Sequence, residues 1–254
     1  DDMSPYMPKA FVAGEDKRFY EHHGVDWVRT IGVFVKPTNF GQGGSTITQQ
    51  LIKNNVFNGG METSFGARLE RKIQEQYLAL QLTRSMDRKL ILTNYLNTIN
   101  LGNNTLGVKV AARRYFNKDV SDLTLSECAV IAGITQNPSR LNPITGQEAN
   151  AEKRKVILQY MFEQGYISKE QQEEALADDV YDRIQNIDTA NRENSTPYSY
   201  FTDELTSQVK TALMEKLGYS ETQAHNLLYS GGLQIYTTQD PKLQAIVDEE
   251  INNP

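Results

Sequence analysis

The stretch Phe65-Gly66-Ala67-Arg68-Leu69-Glu70-Arg71-Lys72-Ile73-Gln74-Glu75-Gln76-Tyr77-Leu78-Ala79-Leu80 decides how this chain folds. Phe65, Leu69, Ile73, Tyr77 and Leu80 recur at helical spacing, the mark of a long helix with one apolar side. At about 100° per residue, Arg68, Arg71, Lys72 and Glu75 gather on one side of that helix, beside the apolar stripe. The stripe is expected to be a buried seam. Taken alone, the charged side reads equally well as a solvated face held by i,i+4 pairs or as a site for an anion.

Outward from this helix the pattern stays mostly helical, from Met7 to about Gly165. Leu92, Tyr95, Leu96 and Ile99 mark a second helix. Thr124 with Glu127, and Ser168 with Gln171, form capping boxes that open two more, and Gly165 closes the helix before the second box. Thr46 with Gln49 makes a further box behind Gly41-Gln42-Gly43-Gly44-Ser45. A glycine-rich turn feeding a helix start exposes N–H groups that suit an anion, although the same residues also make an ordinary capped helix. Residues 187–197 turn polar and read as a linker or exposed loop. Beyond them lie a helical stretch near Leu205 to Leu217 and a strand-like run, Leu233-Gln234-Ile235-Tyr236-Thr237-Thr238, which needs a pairing partner. The expected fold class is therefore mainly α, with a short partial β-containing linker at the C-terminus. The expected division is one domain over residues 1–186 and a linker over residues 187–254.

With 254 residues, 39% of them hydrophobic, the chain has material for one large core. Its formal net charge of -6 excludes a generally basic nucleic-acid binder, so an anionic ligand must be met by a local cluster of cations. Cys128 sits in an apolar run without a second cysteine and reads as a small core residue. His22 and His23 lack an H-E-x-x-H pattern, and His225 is far along the chain, so a structural role is favoured for His22. No stretch approaches the ~18 uninterrupted apolar residues of a membrane span. The chain also opens with Asp1-Asp2 and carries no secretory signal, as expected of a trimmed or processed piece of a longer protein.

Three segments, in order, change the weight of the separate readings. They are Glu15-Asp16-x-x-Phe19-x-x-His22-x-Gly24, then Gly44-Ser45-Thr46-x-Thr48-Gln49-Gln50, then Arg71-Lys72-x-x-Glu75. Together they resemble the first three motifs of glycosyltransferase family 51, the peptidoglycan glycosyltransferase domain of class A penicillin-binding proteins. The likeness continues through Ile91-Leu92-Thr93-Asn94-Tyr95-Leu96-Asn97, Ala111-Ala112-Arg113-Arg114-Tyr115-Phe116-Asn117-Lys118 and Leu125-Ser126-Glu127, ending at Pro138 and Pro143. Thr93 stands where the family usually has a glutamate, and Arg88 where it has a lysine.

The resemblance implies a lysozyme-like helical glycosyltransferase domain. It also implies inverting transfer, in which lipid II is polymerised into β-1,4-linked glycan with undecaprenyl pyrophosphate as the leaving group. Such chemistry needs a base for the hydroxyl proton and positive charge at the leaving group. By resemblance, Glu15 is the base and Glu75 the second catalytic carboxylate, orienting Arg71 and its neighbours or acting through a divalent ion. Lys53, Arg68, Arg71 and Lys72 are the candidate pyrophosphate contacts, with Asp16, Phe19, Gly44, Ser45, Thr46, Thr48, Gln49, Gln50 and Asn54 completing the substrate-binding set. No cofactor is required, while a divalent cation (Mg or Mn) at the pyrophosphate stays open.

The implied partners are lipid II, the growing lipid-linked glycan, the membrane surface and cell-wall synthesis proteins, with no nucleic acid. The implied location is the extracytoplasmic face of the cell membrane. Ile31-Gly32-Val33-Phe34-Val35 with Phe40 reads as either a core segment or an apolar lip toward lipid, and the lip is favoured. The segments near Pro197 and Gly231 resemble the connection to a transpeptidase domain, but no S-x-x-K or K-T-G occurs in these residues. A lytic enzyme of the lysozyme type is the rival enzyme class. Its hydrolysis gives no reason to gather cations at the leaving group. A scaffold without catalysis is the other rival, disfavoured by Glu15 and Glu75.

Overall fold

The computed structural model describes residues 3–30, 44–57, 64–102, 105–187, 200–219, 221–230, 233 and 235–252. The lip at residues 31–35 and 40, the glycines at 41–43 and most of the polar stretch at 187–197 lie outside these. The chain divides into two units, Asp1–Thr189 and Ala190–Pro254.

In the first unit, α1 (Tyr6–Glu15) is followed by α2 (Ile47–Val56), α3 (Phe65–Ser85), α4 (Arg88–Thr98) and α5 (Val108–Phe116). Then come α6 (Leu125–Gly133), α7 (Gln147–Glu163), α8 (Lys169–Ala177) and a 3-10 turn, Val180–Arg183. The capping boxes at Thr46, Thr124 and Ser168 form as the sequence requires, each with reciprocal side-chain and backbone bonds. Gly165, at φ +72°, follows the end of α7.

Every residue of α6 is buried, and α1 and α7 pack against it. A second group sets α2 against α3 and α4. Phe11 of α1 meets Tyr95 of α4 edge-on, ring centroids 6.0 Å apart, joining the two groups through one core. Cys128 lies wholly inside it, and burial pushes its thiol up to about 12. Arg154 is buried as well, its guanidinium donating to the carbonyls of Ala175, Leu176 and Asp178 at the C-terminal end of α8. A cation there satisfies carbonyls that the helix leaves unpaired.

Two expectations need correction. The apolar stripe of α3 is not a buried seam: Phe65, Leu69, Ile73 and Tyr77 are 76%, 52%, 60% and 62% exposed. A helix has one inward face, and here Arg71, Glu75 and Ala79 occupy it. Ion pairing satisfies the buried charges, so the apolar side is left outward. The second correction concerns the run at 233–238, whose described residues form no strand. No neighbouring strand is available among the described residues, and the one isolated bridge there joins Asn100 to Leu106. The second unit is instead helical, with α9 (Tyr200–Leu217) packed on α10 (Glu221–Ser230) and α11 (Pro241–Asn252) beyond.

Candidate active site

Glu15 ends α1 and is largely buried. Its Oε2 accepts from Gln50 Nε2 at 2.9 Å and its Oε1 from the Thr135 hydroxyl at 2.5 Å. Its backbone carbonyl accepts from Arg29 Nη1 at 2.6 Å. The adjacent Asp16 is fully buried and serves the framework. It accepts from the N–H of Ile47 at the start of α2 (3.0 Å), where a carboxylate is favoured, and meets His22 Nε2 at 2.9 Å. His22 Nδ1 in turn accepts from Gly24 N, so this histidine is structural.

Gly24 ties the first three motifs together. The Thr46 hydroxyl donates to its carbonyl at 2.6 Å, while a Cβ on Gly24 would lie 2.2 Å from Ala79 O of α3. At φ +91° this position favours glycine. The loop, the start of α2 and the middle of α3 therefore meet with no room for a side chain.

On α3, Glu75 is fully buried and paired with Arg71, and its other oxygen accepts from Lys72 Nζ at 2.7 Å. Lys72 also donates to Ser45 Oγ at 3.0 Å. Lys53 stands between the two carboxylates electrostatically, feeling Lys72, Glu75, Arg71 and Glu15. Burial is the largest influence on it and Lys72 the next, and together they hold its ammonium below the ordinary lysine range. Lys153 of α7 also feels Glu15, and burial lowers it likewise.

Most of the predicted residues fall into two groups. Glu15 bonds to Gln50, while Ser45, Arg71, Lys72 and Glu75 form a second bonded set, and Lys53 feels both carboxylates electrostatically. Asp16, Phe19, Thr46, Thr48 and Gln49 are buried in the framework, with Phe19 only 1% exposed and stacked edge-on with Tyr20. Asn54 is half-buried beside Lys53, and Gly44 is exposed. Arg68 stays at the surface, where the first turn of α3 has Gly66 in open space and, among the described residues, Arg68 reaches Ser64 O at 3.4 Å. Sequence reading missed Arg29, Tyr95, Thr135 and Lys153. The run through Gly133 to Pro138 brackets Thr135, but no spacing ties it to Glu15, 120 residues away.

The oxygens of Glu75 are held by Arg71 and Lys72, and those of Glu15 by Thr135 and Gln50. This gives Mg or Mn no carboxylate turned toward an oxygen-rich shell. Among the described residues, no group of three or more His, Cys, Asp and Glu could hold a metal ion.

Fold and site together define a mainly helical domain in which a buried glutamate lies near a cluster of cations. The profile of the transglycosylase family matches residues 1–162, and the chain belongs to that family. Penicillin-binding protein 1A of Clostridium perfringens (strain 13 / Type A) is 41% identical over 275 residues, covering 100% of this chain and 38% of that protein. The corresponding protein of Clostridium botulinum (strain Hall) is 39% identical, covering 97% of this chain and 30% of its own length. That of Streptococcus pneumoniae (strain R6) is 34% identical, covering 96% and 32%. The chain thus spans about a third of the length of these curated relatives.

Proposed function

We propose that this domain is a peptidoglycan glycosyltransferase that polymerises lipid II into β-1,4-linked glycan. Glu15 takes the proton of the acceptor 4-hydroxyl while that oxygen bonds to the donor's anomeric carbon. The bond from that carbon to the pyrophosphate breaks, with inversion, and undecaprenyl pyrophosphate leaves. Lys53, Arg71 and Lys72 meet its charge, and Glu75 orients Arg71 and Lys72 by pairing with both. Ser45, Gln50 and Asn54 offer neutral hydrogen bonds to sugar and phosphate oxygens, and no step is routed through a metal.

The observation that carries this reading is a buried glutamate, held by two neutral donors, beside a cluster of cations that also surrounds Glu75. A lytic enzyme has no use for that cluster. Among the described residues, no helix is long and apolar enough to cross a membrane. A lipid-linked substrate sets the work at the extracytoplasmic membrane surface, with cell-wall synthesis proteins as partners. Residues 187–254 are read as the connection toward a transpeptidase domain, supported by the greater length of relatives named as penicillin-binding proteins.

Glu15→Gln is expected to abolish polymerisation, by at least about a hundredfold, while the circular dichroism spectrum stays unchanged. Equal polymer yield from that variant would remove Glu15 from the mechanism. Release of short sugars from finished glycan, without polymer from lipid II, would favour the lytic class instead.

A further inference from the structure

The two oxygens of Glu15 are held by donors of different kinds. A carboxylate only accepts, so Gln50 must present its amide nitrogen to Oε2, leaving its Oε1 to accept from the Tyr95 hydroxyl at 3.2 Å. Tyr95 is fully buried, which makes this side a fixed donor with no capacity to accept. The other side is different. Thr135 Oγ1 lies 2.5 Å from Glu15 Oε1 and 3.2 Å from Ala132 O, the carbonyl near the end of α6. One hydroxyl carries one hydrogen, so it can serve only one of these acceptors fully at a time.

We propose that Thr135 is a positioning residue whose hydroxyl changes partner as Glu15 gains and loses its proton. With Glu15 ionised, the hydroxyl donates to Oε1 and, opposite Gln50, fixes the plane of the carboxylate. When Glu15 takes the proton of the acceptor hydroxyl, Thr135 turns its hydrogen to Ala132 O. Its oxygen then accepts from the new carboxyl O–H. One proton passes from sugar to Glu15 and later to solvent, and Thr135 keeps its own throughout. Both arrangements leave the Glu15 carboxyl and the Thr135 hydroxyl paired, so neither carries the cost of a buried group without a partner. This inference rests on the reading of Glu15 as base.

Other groups also face Glu15: Lys53 from α2, Tyr95 from α4, Lys153 from α7, Arg29 at its own carbonyl, and Asp16 beside it in the chain. Each remains in place when only Thr135 is changed.

The test measures lipid II polymerisation by the full chain carrying Thr135→Val, Thr135→Ala, Thr135→Ser or Glu15→Gln. Valine keeps the shape and deletes the hydroxyl. It is expected to lower kcat on the order of tenfold with KM held within about twofold, since a donor to a charged group is lost. Alanine carries the same expectation should valine pack poorly, and serine restores kcat.

Unchanged kcat in the valine and alanine variants, or failure of serine to restore it, overturns the proposal. The Glu15→Gln arm separates the two readings. If that variant polymerises, the base assignment itself fails; if it is inactive while the valine and alanine variants match the parent, only the hydroxyl switch falls.

Discussion

Lys53 shows what burial does to a side chain that the sequence identifies only as a cation. Its charged form is disfavoured first by lost solvent and then by Lys72, with Glu75 and Glu15 opposing. A lysine held below its usual range sheds its proton at lower pH than the ordinary ~10.4. In the proposed mechanism, the charge that Lys53 offers the leaving group is therefore lost early on the alkaline side. The alkaline limb of kcat/KM is expected below that value, and Lys53→Arg should move it upward, because a guanidinium stays charged. A pH series on the free enzyme checks this, and an unmoved limb would assign the titration elsewhere. The candidate carboxylates and cations were legible one by one from their motifs. Their mutual effects were not, since Lys53 and Glu75 lie on different helices.

At the scale of elements, helix starts were the most legible feature. Thr46, Thr124 and Ser168 each bond within three residues, and such contacts depend on local sequence alone. Orientation was less legible. The stripe on α3 has a clear period, but a period does not say which neighbour a helix will meet. Gly24 supplies part of that answer, because the first-motif loop can approach Ala79 only without a side chain. Gly24→Ala meets both a disfavoured backbone conformation and a backbone clash, and is expected to destabilise the protein by about 2–5 kcal/mol. Urea denaturation measures it, and a loss below about 0.5 kcal/mol would show that the loop shifts freely.

For the molecule as a whole, the outward ridge of Phe65, Leu69, Ile73 and Tyr77 bears on where the domain works. A contiguous exposed apolar face marks a contact surface, and the proposed lipid-linked substrate would make a membrane its natural partner. Leu69→Glu with Ile73→Glu is expected to lower binding to anionic phospholipid vesicles by about tenfold or more, with fold stability nearly unchanged because both side chains are exposed. Vesicle sedimentation and thermal melting measure the two effects. Undiminished vesicle binding would move the lipid contact elsewhere.

By itself the amino-acid order determined the helices, their starts and the set of chemical groups at hand, because those follow from contacts between residues a few positions apart. Tertiary packing alone decided that α3 turns Arg71 and Glu75 inward and Phe65, Leu69, Ile73 and Tyr77 outward. It likewise brought Arg29, Gln50 and Thr135, which lie 14, 35 and 120 residues from Glu15, onto one glutamate. Contacts of that range depend on how helices seat against one another, and no local spacing records it.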